Sequence, residues 1–145
     1  MNLDLTKYRT LFIEEATEHL ADMSSALLRL EKESADAEAV DLIFRMAHGI
    51  KGMAASLEYD SIIAVAHGLE DRMSAIRAAG RTTSSAEVAL LFRGLEALEA
   101  MVGVVRETGD PPPANFALAE SFCNANAALE HPDLDEDPKK KALSR

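Results

Sequence analysis

Two histidines, a lysine and a glutamate are the side chains of this 145-residue sequence that could do chemistry together: His48, Lys51, His67 and Glu70. On a helix centred on Ile50, at about 100° per residue, His48 lies about 160° from the apolar centre and points outward. Lys51 follows one turn later, between His48 and the edge of the apolar face. The sequence therefore predicts an exposed imidazole with a cation beside it, within reach of a second large molecule.

The two helices on either side of Tyr59 are predicted to form an antiparallel hairpin. His48 and Glu70 each lie eleven residues from Tyr59, so at about 1.5 Å per residue both lie roughly 16 Å from the turn. His67 lies one turn nearer to Tyr59 than Glu70 does, on the same side of its helix. We therefore expect the two histidines, Lys51 and Glu70 to converge on one outer surface of the hairpin.

A carboxylate beside an imidazole has a defined chemistry. Glu70 would accept a hydrogen bond from one ring nitrogen of His48, which fixes the tautomer and leaves the other nitrogen with a free lone pair. Such a ring is a good nucleophile. Lys51 would stabilise an incoming anion such as a phosphoryl group. On an exposed helix, this arrangement suits a relay between proteins better than a buried catalytic centre.

Two glycines, Gly49 and Gly52, lie inside the same predicted helix. Each costs about 1 kcal/mol relative to alanine in a helix interior. Close approach of another molecule is a reason to keep them, so the sequence predicts that a partner contacts this surface.

Two other interpretations stay open on the residues alone. His48 could be a solvated surface histidine of a structural helical adaptor, which binds partners through its acidic faces without chemistry. His67-x-x-Glu70 could be half of a metal site, although the carboxylate-rich facing helices of a di-iron bundle are missing.

The composition excludes several classes of partner. The formal net charge is −10, which argues against nucleic acid, because phosphate binding needs clustered Lys and Arg, and also disfavours an anionic membrane surface. No signal peptide begins the chain, and no apolar run approaches the ~20 residues that span a bilayer. We expect a cytoplasmic protein without membrane insertion. The single cysteine, Cys123, lacks zinc-site spacing and is expected to be a buried apolar residue.

The apolar periodicity predicts an all-α fold with five helices. An inner stripe of residues stepping by three and four runs along the first helix from Tyr8 and Leu11 to Leu30. Short connections between the first four helices favour an up-down-up-down four-helix bundle, with the fifth helix packed against it. The predicted ranges are about 5–33, 37–57, 61–79, 86–108 and 114–129.

Capping residues mark the helix boundaries. The candidate N-caps are, in chain order, Asp4 or Thr6, Asp36, Asp60 or Ser61, and Ser84 or Ser85. Gly80 stands where a helix C-cap belongs, and Gly109 with the three prolines that follow Asp110 ends the fourth helix. Residues 1–130 are expected to form one domain. Residues 131–145 are charged, contain proline and have little to bury, so we expect a disordered linker or tail.

The stretch Ala47-His48-Gly49-Ile50-Lys51-Gly52, followed by the small residues 54 and 55, resembles the histidine phosphotransfer (HPt) domain at the amino terminus of chemotaxis-type histidine kinases, the CheA family. The stretch His67-Gly68-Leu69-Glu70 is similar to the second motif of that family, a histidine three residues before a glutamate. The family pattern is also matched by Ile43-Phe44-Arg45 and by the acidic stretch 12–16. The resemblance covers about residues 3–129 and implies an HPt-type bundle.

The resemblance implies a phosphorelay. His48 would accept the γ-phosphoryl group of ATP from a histidine kinase catalytic domain located elsewhere, which would bind ATP and Mg²⁺, so that this chain needs no cofactor. Glu70 would hydrogen-bond Nδ1 of His48 and leave Nε2 to take the phosphoryl group, with Lys51 and His67 in supporting roles. The phosphoryl group would pass to an aspartate of a CheY-like receiver-domain response regulator. Dimerisation of the family resides in another domain, so a monomer is expected for the isolated domain.

The chain departs from the family pattern at two positions. Glu58 stands before the aromatic residue of the hairpin turn, where the family usually has glycine, and Gly49 stands where a small hydroxyl residue is common. The first departure leaves the conformation of the turn open.

No Gly-rich loop and no Asp/Asn metal pair occur in the sequence, so it has no ATP site. The chain by itself is expected to be a phosphocarrier, the amino-terminal fragment of a larger histidine protein kinase. A stand-alone HPt phosphorelay protein is the nearest alternative, and a non-catalytic helical adaptor is the alternative from another class.

Overall fold

Four α-helices form the part of the chain that the computed structural model describes, which is residues 2–113 together with residues 118, 121 and 122. No strand occurs in that part of the chain. This confirms the predicted all-α class, and the first helix begins three residues earlier than expected. The helices are α1 (Asn2–Lys32), α2 (Ala37–Ser56), α3 (Asp60–Ala79) and α4 (Ser85–Thr108).

The four helices pack as a ring. Each helix packs against its neighbours in the chain, and α1 packs against α4, while the pairs α1/α3 and α2/α4 lie diagonally opposite. The backbone N–H of Thr82 donates to the carbonyl of Ser34 at 3.0 Å, which joins the α1–α2 and α3–α4 connections at one end. The order of contacts and the short connections give an up-down-up-down bundle.

Leucine, isoleucine, alanine, valine and methionine side chains from all four helices fill the core. The inner stripe of α3 is fully buried, as its periodicity predicted. Its members are Ile62, Ala66, Leu69, Met73 and Ile76.

The first turns of α1 differ from the predicted inner stripe. Tyr8 is 59% exposed and Leu11 is 48% exposed. Because α1 has 31 residues and its antiparallel neighbour α2 has only 20, the start of α1 projects past the end of α2. The apolar side chains there have less surface to cover them.

Two of the predicted N-caps are confirmed. Oδ1 of Asp36 accepts a hydrogen bond from the backbone N–H of Ala39 at 3.0 Å, and Oγ of Ser84 accepts one from the N–H of Glu87 at 3.1 Å. These bonds satisfy N–H groups that the first turn of a helix leaves without partners. At the other ends, Gly80 and Gly109 are the C-caps of α3 and α4, with φ of +85° and +89°.

The caps predicted for α1 and α3 were wrong. Helix α1 begins at Asn2, before both Asp4 and Thr6. Helix α3 has Tyr59 as its N-cap, without a side-chain hydrogen bond. The ring of Tyr59 is buried and meets Phe12 edge-on, with 5.3 Å between centroids. Helix α3 therefore begins beside a buried ring and not at a side-chain cap.

The fifth helix, predicted for residues 114–129, falls mostly outside the described residues, and the predicted tail at 131–145 lies wholly outside them. Residues 118, 121 and 122 are helical, and the side chains of Leu118 and Phe122 are buried. A Cβ on Gly68 of α3 would come within 2.8 Å of Phe122, and one on Gly94 of α4 within 2.9 Å. Two glycines on facing helices thus make room for one aromatic ring.

A buried ion pair joins α3 to the start of α4. Nη2 of Arg72 donates to Oε2 of Glu87, and the two side chains are only 8% and 3% exposed. Oε1 of Glu87 also accepts from the backbone N–H of Thr83 at 2.7 Å. Sequence reasoning missed this pair, although Ser84-x-x-Glu87 carries the spacing of a capping box.

The turn between α2 and α3 is a Schellman motif. The N–H of Tyr59 bonds to the carbonyl of Ala54 at 2.9 Å, and the N–H of Glu58 bonds to that of Ala55 at 3.1 Å. This motif places Glu58 in the left-handed region, with φ of +59°. The missing glycine of the family pattern therefore leaves the turn geometry possible but strained.

Replacing Glu58 with Gly is expected to raise the free energy of unfolding by about 1 kcal/mol, because glycine has no Cβ to oppose the left-handed conformation. Urea unfolding followed by circular dichroism measures the change. The matched control is Glu58→Ala, which removes the carboxylate but keeps the Cβ and should give no such gain. A loss of stability in Glu58→Gly would contradict the assignment of strain to this residue.

Candidate functional site

The α2–α3 hairpin brings His48, Lys51 and Glu70 together on its surface. Nδ1 of His48 is hydrogen-bonded to Oε2 of Glu70. Nζ of Lys51 donates to the other carboxylate oxygen, Oε1, at 2.6 Å. Both oxygens of Glu70 therefore have a partner from α2, as the equal distances of His48 and Glu70 from the turn suggested.

The second histidine of the predicted cluster takes a different partner. Nε2 of His67 lies 3.3 Å from Oδ2 of Asp71, one turn further along α3, and the His67 side chain is 57% exposed. The contacts among the described residues join His67 to Asp71 and not to His48 or Glu70. Sequence reasoning gave Asp71 no role, although its spacing of four residues from His67 is the signal for such a pair.

Exposure falls steadily across the three hydrogen-bonded side chains. His48 is 66% exposed, Lys51 27% and Glu70 12%. Since an ionised carboxylate only accepts hydrogen bonds, the neutral imidazole that pairs with Glu70 has its proton on Nδ1 and its lone pair on Nε2. The arrangement combines a fixed carboxylate with an accessible, nucleophilic ring nitrogen.

The charge state of Glu70 follows from its surroundings. Partial burial alone would raise the pKa of this carboxyl. The hydrogen bonds and charges of Lys51 and His48 together outweigh burial and lower the pKa of Glu70 from its ordinary value. The carboxylate therefore stays ionised at neutral pH.

This lowered pKa predicts a pH-dependent contribution to stability. Ionised Glu70 adds stability that is complete above the ordinary glutamate pKa of about 4.3 and is lost as the pH falls through the lower folded-state value. The difference in unfolding free energy between wild type and Glu70→Gln should therefore shrink as the pH falls from about 5 to about 3. Urea unfolding at a series of pH values measures it. A difference that stays constant or grows on acidification would contradict the assignment.

An aromatic ring lies beside His48, and a guanidinium group lies against that ring. The rings of Phe44 and His48 are nearly parallel, at 9°, with centroids 6.4 Å apart. The guanidinium carbon of Arg77, on α3, lies 4.1 Å from the Phe44 centroid. Arg77 and Arg45 both form ion pairs with Asp41, at 3.7 Å and 2.9 Å. Sequence reasoning used Phe44 and Arg45 only as parts of a motif and missed Arg77.

The two helix glycines next to His48 have different surroundings. A Cβ on Gly49 would lie 2.9 Å from Nε2 of His19 on α1, so contact within the chain already gives Gly49 a reason to be small. Gly52 is exposed and has no atom within 4 Å of its Cβ position. The prediction that an outside molecule approaches closely therefore rests on Gly52.

Two other features, a metal-binding cluster and a membrane-spanning helix, do not occur in the described part of the chain. Among residues 2–113 and the three later described positions, no group of three or more His, Cys, Asp or Glu side chains is placed to hold a metal ion. None of the helices in this described part is long and apolar enough to cross a membrane.

Comparison with known proteins gives concordant matches. The family model of the Hpt domain matches residues 7–108. The chain is 38% identical over 136 residues to chemotaxis protein CheA of Bacillus subtilis strain 168, covering 87% of this chain and 20% of that protein. It is 32% identical over 103 residues to CheA of Halobacterium salinarum, covering 71% of this chain and 15% of that protein. The chain thus spans at most about a fifth of the length of these relatives.

Solved structures share the fold. The solution structure of the histidine phosphotransfer domain of CheA has a TM-score of 0.73 and 26% identity, covering 85% of this chain and 91% of that one. The crystal structure of the phosphorylated P1 domain of CheA3 in complex with CheY6 from R. sphaeroides has a TM-score of 0.77 and 23% identity, covering 85% and 98%. Both likenesses extend over most of the four-helix bundle.

Proposed function

The chain belongs to the Hpt domain family, and from this premise we propose that it is the phosphotransfer domain of a chemotaxis-type histidine kinase. His48 receives a phosphoryl group from an ATP-bound kinase domain and gives it to an aspartate of a response regulator. The observation that carries the proposal is the exposed imidazole of His48, whose Nδ1 is bound to the ionised Glu70. The chain acts in the cytoplasm and as a monomer when isolated.

The first step is nucleophilic attack by His48. The lone pair on Nε2 forms a bond to the γ-phosphorus of ATP while the bond from phosphorus to the bridging oxygen breaks, and ADP leaves. The imidazole then carries both the phosphoryl group and the Nδ1 proton, so the ring becomes positive. Glu70, hydrogen-bonded to Nδ1, stabilises this charge as it develops.

Lys51 acts through Glu70 in this step. Its ammonium group is 2.6 Å from Oε1, and it helps to keep the carboxylate ionised and in position. Its side chain is 27% exposed, so its charge also acts on an anion that approaches His48. His67, paired with Asp71, supports the site from a position outside the hydrogen-bonded group.

The second step returns His48 to its starting state. A carboxylate oxygen of the receiver aspartate attacks phosphorus, the bond between Nε2 and phosphorus breaks, and its electron pair returns to the ring. The P1 domain of CheA3 was solved in complex with CheY6, and we extend a CheY-like partner to this chain. The high exposure of His48 supports access by such a domain.

We further propose that residues 114–129 form a fifth helix and that the domain extends to about residue 130. The buried Leu118 and Phe122, and the space that Gly68 and Gly94 leave for the ring of Phe122, support this extension. The proposal gives the bundle an additional element against α3 and α4, away from α2 and His48.

Phosphate incorporation from labelled ATP tests the proposed function, with a chemotaxis-type kinase core supplied in trans. Wild type should take up label that is acid-labile and alkali-stable, and His48→Gln should take up none. The kinase core must first be shown to label its own cognate domain. Label on His48→Gln equal to that on wild type would contradict the proposal, and a chain that keeps its cellular role as His48→Gln would be a helical adaptor instead.

Replacing Gly52 with Ala separates stability from partner contact. The exposed helix should gain about 1 kcal/mol in unfolding free energy, because alanine is the better helix former. The rate of labelling should fall severalfold, since the new methyl group stands one turn from His48 where the partner approaches. Urea unfolding and initial labelling rates measure the two effects. A gain in stability with an unchanged rate would contradict close approach at Gly52.

A further inference from the structure

The hydrogen bond to Glu70 fixes one nitrogen of His48 but not the tilt of the imidazole plane. With 66% of the side chain exposed, few neighbours restrain the ring, and rotation about the Cα–Cβ and Cβ–Cγ bonds can pivot it while Nδ1 stays within hydrogen-bond reach of Oε2. A pivot changes the direction in which the Nε2 lone pair points. Since in-line attack needs a defined direction, the tilt of the ring matters to the rate.

Phe44 supplies a flat surface that opposes this pivot. It precedes His48 by four residues on α2, so the two side chains lie on the same side of the helix. The planes of the two rings differ by only 9°, and their centroids are 6.4 Å apart, within the range of offset stacking. A tilt of the imidazole out of this near-parallel arrangement would disturb the stacking.

Phe44 is itself held in place. It is half-buried against the hydrophobic core, and the guanidinium of Arg77 lies 4.1 Å from its ring centroid, a cation–π distance. Nη1 of Arg77 lies 3.7 Å from Oδ1 of Asp41, which is on α2. A series of contacts thus runs from Asp41 through Arg77 and Phe44 to His48, on the side of the imidazole away from Lys51.

We propose that Phe44, held by Arg77, is a positioning residue that sets the tilt of the His48 imidazole for phosphoryl transfer. This inference rests on the proposed function of His48. Phe44 touches no reacting atom and acts only through the orientation of the ring. Its effect therefore falls on the chemical step rather than on binding of the kinase.

Phe44→Leu tests the proposal, because leucine keeps apolar volume in the half-buried site but removes the flat face. We expect the kcat for phosphorylation by the kinase core to fall about tenfold, with KM for the core unchanged. Phe44→Tyr, which keeps the ring, should retain the wild-type kcat. The surface variant Arg77→Gln should lower kcat in the same direction by a smaller factor without loss of the fold.

Nuclear magnetic resonance gives a readout that does not depend on any partner. Wild type should show cross-relaxation between the ring protons of Phe44 and those of His48, and couplings between Hα and Hβ of His48 that report one rotamer. Phe44→Leu should show averaged couplings. The control is Phe92→Leu, on α4, which removes a similarly half-buried ring from a helix diagonally opposite α2.

The outcomes separate this inference from the proposed function. A wild-type chain that takes no label would overturn the phosphotransfer proposal itself. A labelled wild type with unchanged kcat and couplings in Phe44→Leu would overturn only the positioning role. The positioning role would also be overturned if Phe92→Leu lowered kcat as much as Phe44→Leu does, or if Phe44→Tyr lowered kcat as well.

Discussion

Replacing Glu70 with Gln is expected to slow phosphorylation of His48 by about 10–100-fold, the effect that loss of a carboxylate partner has on a metal-bound imidazole. The amide keeps the shape of the carboxylate but not its charge, so it no longer stabilises the positive ring that forms when Nε2 takes the phosphoryl group. The amide nitrogen can also donate to Nδ1, which would leave the proton on Nε2 and remove the lone pair.

Initial rates of labelling at saturating kinase core measure this effect. Glu99→Gln, an exposed change on α4, is the matched control for loss of one negative charge and should keep the wild-type rate. The hydrogen bond between Nδ1 of His48 and Glu70 has its proposed role only if the two variants differ. A Glu70→Gln chain phosphorylated as fast as Glu99→Gln would contradict that role.

Replacing Glu87 with Ala is expected to lower the free energy of unfolding by about 3–5 kcal/mol, because it removes a carboxylate that pairs with a buried charge. The guanidinium of Arg72 is only 8% exposed and donates to Oε2 of Glu87. The change also removes the acceptor for the N–H of Thr83. Since a domain of this kind has about 5–15 kcal/mol in total, the loss is large.

Urea unfolding of three variants separates the effect of leaving Arg72 without the Glu87 carboxylate from the effect of losing the hydrogen-bond acceptor at the start of α4. The double variant Arg72→Met with Glu87→Leu removes both charges, so it should be much more stable than Glu87→Ala alone. Glu99→Ala, exposed on the same helix, should change the unfolding free energy by no more than about 0.5 kcal/mol. A Glu87→Ala chain as stable as Glu99→Ala would show that the ion pair contributes little.

The sequence was sufficient to predict the features that depend on regular helix geometry. A constant rise per residue places His48 and Glu70 at equal heights in a hairpin, and the structure joins them by a hydrogen bond. Apolar spacing of three and four residues located the buried face of α3. Asp36 and Ser84 were predictable as caps because the bond that each forms is local.

Features that depend on packing between helices were not predictable in the same way. The ring of Tyr59 packs on Phe12, far away in the chain, and Asp60 is already the first residue of α3 instead of its cap. Gly49 looked like a partner-contact position, but His19 of α1 already lies against it. No spacing rule relates these pairs, because their members come from different helices.

The site also combines features that follow from helix geometry with features that depend on how the helices and side chains pack. The distance of His67 from the hairpin turn predicted that it would lie near His48 and Glu70. Its side chain instead pairs with Asp71, one turn along the same helix. The contact of Arg77 with Phe44 depends on how α3 packs against α2. Sequence patterns thus predicted that His48 and Glu70 meet, while the contacts of His67 and Arg77 needed the structure.

The position of the phosphoryl group on the phosphorylated chain tests the central claim most directly. Correlation of ³¹P with ring protons and ¹⁵N shifts of the imidazoles identifies both the histidine and the nitrogen that carry the group. We predict a single phosphorus attached to Nε2 of His48, with the proton of Nδ1 retained toward Glu70. A phosphoryl group on Nδ1 of His48, on His67 or on another residue would contradict the account.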